Sequence, residues 1–143
     1  MQTIVEGVYW PDRRTKWARP LFLVSVSAGF PSPAEDYIEG RLDLNKHLIK
    51  HPVATFYVRV AGDSMIDVGI GPGSILIVDR AVEADDGDIV IARVNDELCV
   101  KRLHIADGRV WLMPENITYE PLEVTEAMDF EVWGRVTHSI RAH

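Results

Sequence analysis

From Ala54 onward the apolar residues come in short β-branched runs: Thr55-Phe56-Tyr57-Val58-Arg59-Val60, Ser74-Ile75-Leu76-Ile77-Val78, Ile89-Val90-Ile91-Ala92-Arg93-Val94, and Glu97 to Leu103. Runs of this length, bounded by turn residues, predict strands. Asn95-Asp96 between the last two predicts a tight hairpin, and Gly87-Asp88 marks a turn before it. Weaker strands are expected at Val110 to Met113 and Phe130 to Val136. The pattern is different before residue 54. Residues 1 to about 31 hold Pro11, Pro20, Pro31 and the basic cluster Arg13-Arg14-Thr15-Lys16, with no sustained period, and read as an extended arm. Within it, Leu21 to Val26 has the composition to add a strand to a sheet. Ser32-Pro33-Ala34-Glu35 combines a capping residue, a proline at the first helical position and a glutamate three residues after the cap. It predicts a short helix with Tyr37 and Ile38 as its apolar contacts. A second helical piece is expected from Asp43 to Lys50, ended by His51-Pro52 because the residue before a proline is driven out of helical geometry. The fold expected is mainly β: a compact antiparallel domain over about residues 35–143, one or two short helices, and a flexible N-terminal arm.

Composition narrows the function classes. At 143 residues, 47% hydrophobic and 26% charged, the chain fits one globular domain plus an arm. A net charge of −7 argues against direct nucleic-acid binding, which draws on clustered Lys and Arg, and favours protein partners. The single Cys99 has no internal disulfide partner, and no charged segment leading into an apolar run and cleavage site is present, so a cytoplasmic location is expected. Apolar stretches such as Leu21 to Val24 and Ile75 to Val78 are far too short to cross a membrane.

The candidate chemistry centres on two residues. Ser64 follows a predicted strand in Val60-Ala61-Gly62-Asp63-Ser64-Met65, and Lys101 sits in the strand Leu98-Cys99-Val100-Lys101-Arg102-Leu103. A serine hydroxyl is a weak nucleophile and needs a base within hydrogen-bond reach. The five histidines stand in no motif that supplies one. A lysine serves if burial among apolar groups disfavours its charged form. Strand alternation puts Lys101 on the face of Cys99 and Leu103, with Arg102 and His104 on the other. Gly62 permits a sharp turn whose amides face a developing oxyanion. The plain reading of the same residues is a turn serine and a lysine that extends its stem along the surface.

Other features carry less. Gly69-Ile70-Gly71-Pro72-Gly73 resembles a phosphate loop, but Pro72 lacks an amide hydrogen and a strand follows it. His47 and His51 lack a metalloprotease glutamate, and Asp85-Asp86-Gly87-Asp88 has too few spaced oxygens for calcium, so neither metal nor cofactor is assigned. Trp111 and Trp133 are expected in the core, and Trp10 and Trp17 to dock from the arm onto the domain or a dimer mate.

Three segments together, Ala28-Gly29-Phe30-Pro31-Ser32-Pro33-Ala34, Gly62-Asp63-Ser64-Met65-Ile66-Asp67 and Val100-Lys101-Arg102-Leu103, resemble the LexA/UmuD family of self-cleaving serine–lysine peptidases in order and spacing. Gly71 to Asp79 and Gly87 to Ala92 resemble it too, so the likeness covers roughly residues 28–138. The resemblance implies the peptidase-type β domain of the LexA C-terminal half, with Ser64 as nucleophile and Lys101 as general base. It further implies Ala28-Gly29 as the scissile bond and the amides of Asp63 and Ser64 as the oxyanion hole, dividing the chain into a removable arm (1–28) and a peptidase domain (29–143). Only 28 residues precede the cut, too few for a helix-turn-helix domain with its own core, so the likeness points to the UmuD-like branch. That branch implies an SOS-response homodimer whose self-cleavage is stimulated by the RecA–single-stranded DNA filament. Its product joins a UmuC-type subunit in error-prone translesion synthesis. The rivals are a peptidase acting on other proteins, a non-enzymatic interaction module, and a truncated LexA-type regulator.

Overall fold

A computed structural model describes residues 1–12, 18–22 and 38–143. They fall into two compact units, Asp12–Lys50 and a larger one made of Met1–Pro11 with His51–His143. In the smaller unit, strand β2 (Ala18–Phe22) pairs antiparallel with β3 (Ile38–Asp43), Ala18 lying opposite Asp43 and Phe22 opposite Ile38. A helix, α1 (Leu44–Leu48), follows where a helical piece was expected. Asp43 caps it, its carboxylate accepting from the Asn45 amide at 3.0 Å. The predicted helix at Ser32 lies outside the described residues, and Ile38, expected to pack against it, instead opens β3.

The larger unit contains strands β1 (Ile4–Tyr9), β4 (Thr55–Ala61), β5 (Ile75–Asp79), β6 (Ile89–Val94), β7 (Glu97–Ala106), β8 (Arg109–Met113), β9 (Leu122–Val124) and β10 (Phe130–Ile140). They form one sheet in the order β1-β4-β5-β10-β6-β7-β8-β9, every neighbouring pair antiparallel. The architecture is the mainly β fold that the sequence pattern implies. Asn95 takes a φ of 54° at the β6–β7 turn, a left-handed conformation that asparagine tolerates.

Alternation along the strands explains how the core is filled. Phe56, Val58 and Val60 of β4 point inward with Met65, Ile70, Leu76, Val78, Ile91 and Val100, and the intervening Arg59 is exposed. Val90, Ala92, Leu103 and Leu112 form a second cluster. Successive residues of β6 therefore feed different clusters, so β6 and β7 are covered on both faces and hold their register firmly. Each such fully buried aliphatic side chain contributes about 1.5–3 kcal/mol.

The main departure from the sequence reading is β1. Within the expected arm, Ile4–Tyr9 is a strand of the main sheet, paired with β4 from Ile4 opposite Ala61 to Tyr9 opposite Tyr57, with a bulge between Val5 and Gly7. It also reaches β7, Ile4 lying opposite Cys99. Trp10, just beyond, tilts over Phe56 with ring centroids 5.9 Å apart, docking as expected on its own domain. Trp111 and Trp133, both expected in the core, are only half-buried, with Trp133 packing against the edge of the main cluster. No helix among the described residues is long and apolar enough to cross a membrane.

Candidate active site

The serine is presented by a turn that the neighbouring chain holds on both sides. β4 ends at Ala61, and Gly62 turns with a φ of 86°, a left-handed conformation that costs a glycine little. Beyond it Met65 is buried in the core and anchors the far side. Between these points the Ser64 carbonyl accepts from the Glu115 amide at 2.8 Å, and the Asp63 carbonyl from Asn116 Nδ2 at 2.9 Å. The Tyr119 hydroxyl donates to Asp63 Oδ1 at 2.6 Å and holds that carboxyl below the ordinary aspartate range.

The lysine comes from a rigid support. β7 is hydrogen-bonded to β6, with Lys101 opposite Val90, and to β8, with Arg102 opposite Met113. Lys101 points inward, and Arg102 turns the other way to pair with Glu115. The Lys101 ammonium nitrogen lies 2.7 Å from Ser64 Oγ, with Ser64 fully buried and Lys101 only 7% exposed. Burial pushes the Lys101 pKa down, outweighing the charges of Cys99 and Glu97, which favour the cation. The Cys99 thiol beside it is pushed up, again mainly by burial. A lysine that loses its proton more readily than a free one, in hydrogen-bond contact with a buried serine, has the geometry and the electrostatics of a base paired with a nucleophile.

The structure thus brings Ser64 and Lys101 together. The Asp63 amide, expected in an oxyanion hole, donates to the Met1 carbonyl at 2.9 Å. Ala28 and Gly29 lie outside the described residues. Sequence reasoning missed the segment that covers the pair: the Thr3 amide donates to Ser64 Oγ at 2.8 Å, and Lys101 donates to Gln2 Oε1. It also missed Glu115 and Tyr119, which steady the serine turn. No spacing or motif marks these residues, because their contacts arise only from the tertiary fold. Beside Lys101 opens a cleft of about 660 Å³ whose lining includes Gln2, Cys99, Leu112, Glu120 and Leu122. Among the described residues no three His, Cys, Asp or Glu side chains converge on a metal position; His51 instead pairs with Asp79 at 2.6 Å. Gly69 and Gly73 adopt positive φ in a turn.

A family model described as Peptidase S24-like matches residues 20–137. The chain belongs to that family. Among curated proteins, this S24-like chain is 47% identical to ImpA of Escherichia coli, over 98% of its own length and 95% of ImpA's. It is 45% identical to SamA of Salmonella typhimurium, over 86% of its length and 87% of SamA's. It is also 43% identical to the LexA repressor of Dechloromonas aromatica, over 82% of its length but only 58% of the repressor's. These likenesses mark it as a UmuD-like member of the LexA/UmuD group.

Proposed function

We infer that this chain is an SOS-response protein that cuts itself once, between Ala28 and Gly29. The observation that carries the reading is the 2.7 Å contact between Ser64 Oγ and Lys101 Nζ in the setting of an S24-like peptidase domain. Neutral Lys101 takes the Ser64 proton as Oγ attacks the Ala28 carbonyl carbon. The amides of Asp63 and Ser64 hold the oxyanion, and the protonated lysine returns its proton to the leaving amine of Gly29. Lys101 then activates a water that hydrolyses the Ala28 ester and regenerates Ser64. No cofactor is required, because the lowered lysine pKa supplies the base. Gly29 lets the bond bend into the site at small steric cost.

The reading divides the chain into a released arm, 1–28, and a peptidase body, 29–143. On the resemblance to the UmuD-like branch, which the likeness to ImpA and SamA supports, the body is a homodimer that serves a UmuC-type translesion polymerase, and the RecA–single-stranded DNA filament stimulates the cut. Intact-mass spectrometry of the purified protein at neutral pH and at about pH 10, near the reference lysine pKa, tests this. Fragments that meet at Ala28-Gly29, absent in Ser64→Ala and Lys101→Ala, are expected. A wild-type chain that stays whole at both pH values, and with RecA filaments added, overturns the reading and leaves a non-enzymatic module.

A further inference from the structure

We propose that the first five residues are a pseudosubstrate strand, which fills the catalytic cleft and keeps the chain uncut until it is displaced; this rests on the self-cleavage reading above. The strand bridges the two elements that carry the chemistry, lying opposite Ala61 of β4 and Cys99 of β7 through the same residue, Ile4. Its backbone then takes the positions a substrate needs. The Met1 carbonyl accepts from the Asp63 amide at 2.9 Å, and the Thr3 carbonyl from the Val100 amide at 3.0 Å. The Thr3 amide donates to Ser64 Oγ at 2.8 Å, and Gln2 Oε1 accepts from Lys101.

Two features make this binding unproductive. The group bonded to the nucleophile is an amide N–H, which has no electrophilic carbon and engages a serine lone pair. Attack requires instead a carbonyl carbon about 3–3.5 Å from Oγ. Ser64 and Thr3 are both fully buried, so no second backbone reaches Oγ while residues 1–3 are seated. The seat is shaped for close approach, since a Cβ at Gly62 would lie 2.1 Å from the Gln2 carbonyl oxygen. It is also imperfect. Thr3 Oγ1 is buried without a hydrogen-bond partner, so the strand is held less tightly than its shape allows. A segment that copies the substrate's backbone contacts without its reactive geometry competes with the scissile segment for one cleft.

The lone cysteine provides the test. The Thr3 carbonyl accepting from the Val100 amide makes Ile4 and Cys99 a non-hydrogen-bonded antiparallel pair, with Cα atoms about 4.5 Å apart, within the range a disulfide spans. In the full chain, Ile4→Cys is therefore expected to form an intramolecular disulfide with Cys99 under mild oxidation, read as a mass loss of two hydrogens. At alkaline pH the oxidised protein should cut itself roughly tenfold or more slowly than the same protein with reductant. Equal rates with the disulfide formed, or no intramolecular disulfide at all, overturn the proposal while leaving self-cleavage intact. If the disulfide forms but neither the reduced variant nor the wild type is ever cut, the self-cleavage reading falls and takes the inhibitory role with it.

Discussion

Gly62→Ala and Gly69→Ala put the same methyl group into nearly the same backbone conformation, φ 86° and 82°, in opposite surroundings. A left-handed alanine costs about 1–2 kcal/mol at either site. At Gly69 the new Cβ meets nothing within 4 Å, so that strain is the whole effect. At Gly62 it would stand 2.1 Å from the Gln2 carbonyl oxygen and 2.6 Å from that of Met1. These are backbone atoms that no side-chain rotation moves away. Residues 1–3 must therefore shift and lose their bonds to the Asp63 amide, Ser64 Oγ and the Val100 amide. At about 0.5–1.5 kcal/mol net for each, Gly62→Ala should cost about 1.5–4.5 kcal/mol more than Gly69→Ala. Urea unfolding of both variants measures the shared strain. Amide exchange over residues 1–9, followed by mass spectrometry, measures the rest, with protection falling by about tenfold to a thousandfold in Gly62→Ala alone. If the two variants lose equal stability and exchange alike over residues 1–9, those residues are not seated against Gly62 and the reasoning fails.

Lys101→Arg should abolish self-cleavage at every pH, because a guanidinium stays protonated; residual cutting on an intact-mass time course would rule out this lysine as the base. In the wild type, protonation fills the lysine lone pair as pH falls, so the cleavage rate should drop about tenfold per pH unit below the folded-state Lys101 pKa and level off above it. Burial lowers that pKa, so the midpoint should lie below the ordinary lysine value of about 10.4, and a midpoint above it contradicts the buried site. The folded chain binds fewer protons than the unfolded one between those two pKa values, so this group makes stability rise with pH through that window. Leu112→Ala, at a side chain 1% exposed in the second core cluster, should cost about 2–5 kcal/mol in urea unfolding. Thr3→Val replaces a buried, unpartnered hydroxyl with a methyl and should tighten the β1 seat, slowing alkaline self-cleavage; faster cleavage would mean that the hydroxyl helps hold the strand.

Most strands of the body were legible as short apolar, largely β-branched runs, and all six runs predicted after Ala54 reappear with ends within about four residues of those expected. The helical piece expected from Asp43 to Lys50 was legible in its position, but the helix is shorter, Leu44–Leu48, and ends at its Ile49 cap before His51-Pro52 is reached. β1 was not. Ile4–Tyr9 has no fully buried residue and meets β7 only at Ile4, so alternation is weak, and its main partner β4 lies about fifty residues away. β9, three residues long, is too short to show a period. The same contrast holds at the site. Ser64 and Lys101 could be singled out chiefly because the segments around them resemble the LexA/UmuD family, with strand alternation placing a lysine on an apolar face as the supporting chemical sign. Gln2, Thr3, Glu115 and Tyr119 act through backbone groups or ordinary side chains whose importance depends on where the fold brings them.

The seating of residues 1–3 lies close to energetic balance, which the proposed self-cleavage requires of a chain that is first held whole and then cut. Four hydrogen bonds, to the Asp63 amide, Ser64 Oγ, the Val100 amide and Lys101, contribute roughly 2–6 kcal/mol net. Fixing the backbone of three residues opposes this by about 1–2 kcal/mol each, and the unpartnered Thr3 hydroxyl subtracts more. Burial of the Thr3 methyl and the continuing pairing of β1 from Ile4 to Tyr9 tip the balance towards the closed form. An advantage of 2–3 kcal/mol is enough to suppress cutting by about thirtyfold to 150-fold. A partner need then discriminate between closed and open forms by only a similar factor, which a modest contact with the displaced strand supplies. A much deeper seat would demand an activator that binds the open form many thousandfold more tightly, whereas a shallower one would leave Ser64 and Lys101 free to act as soon as the chain folds.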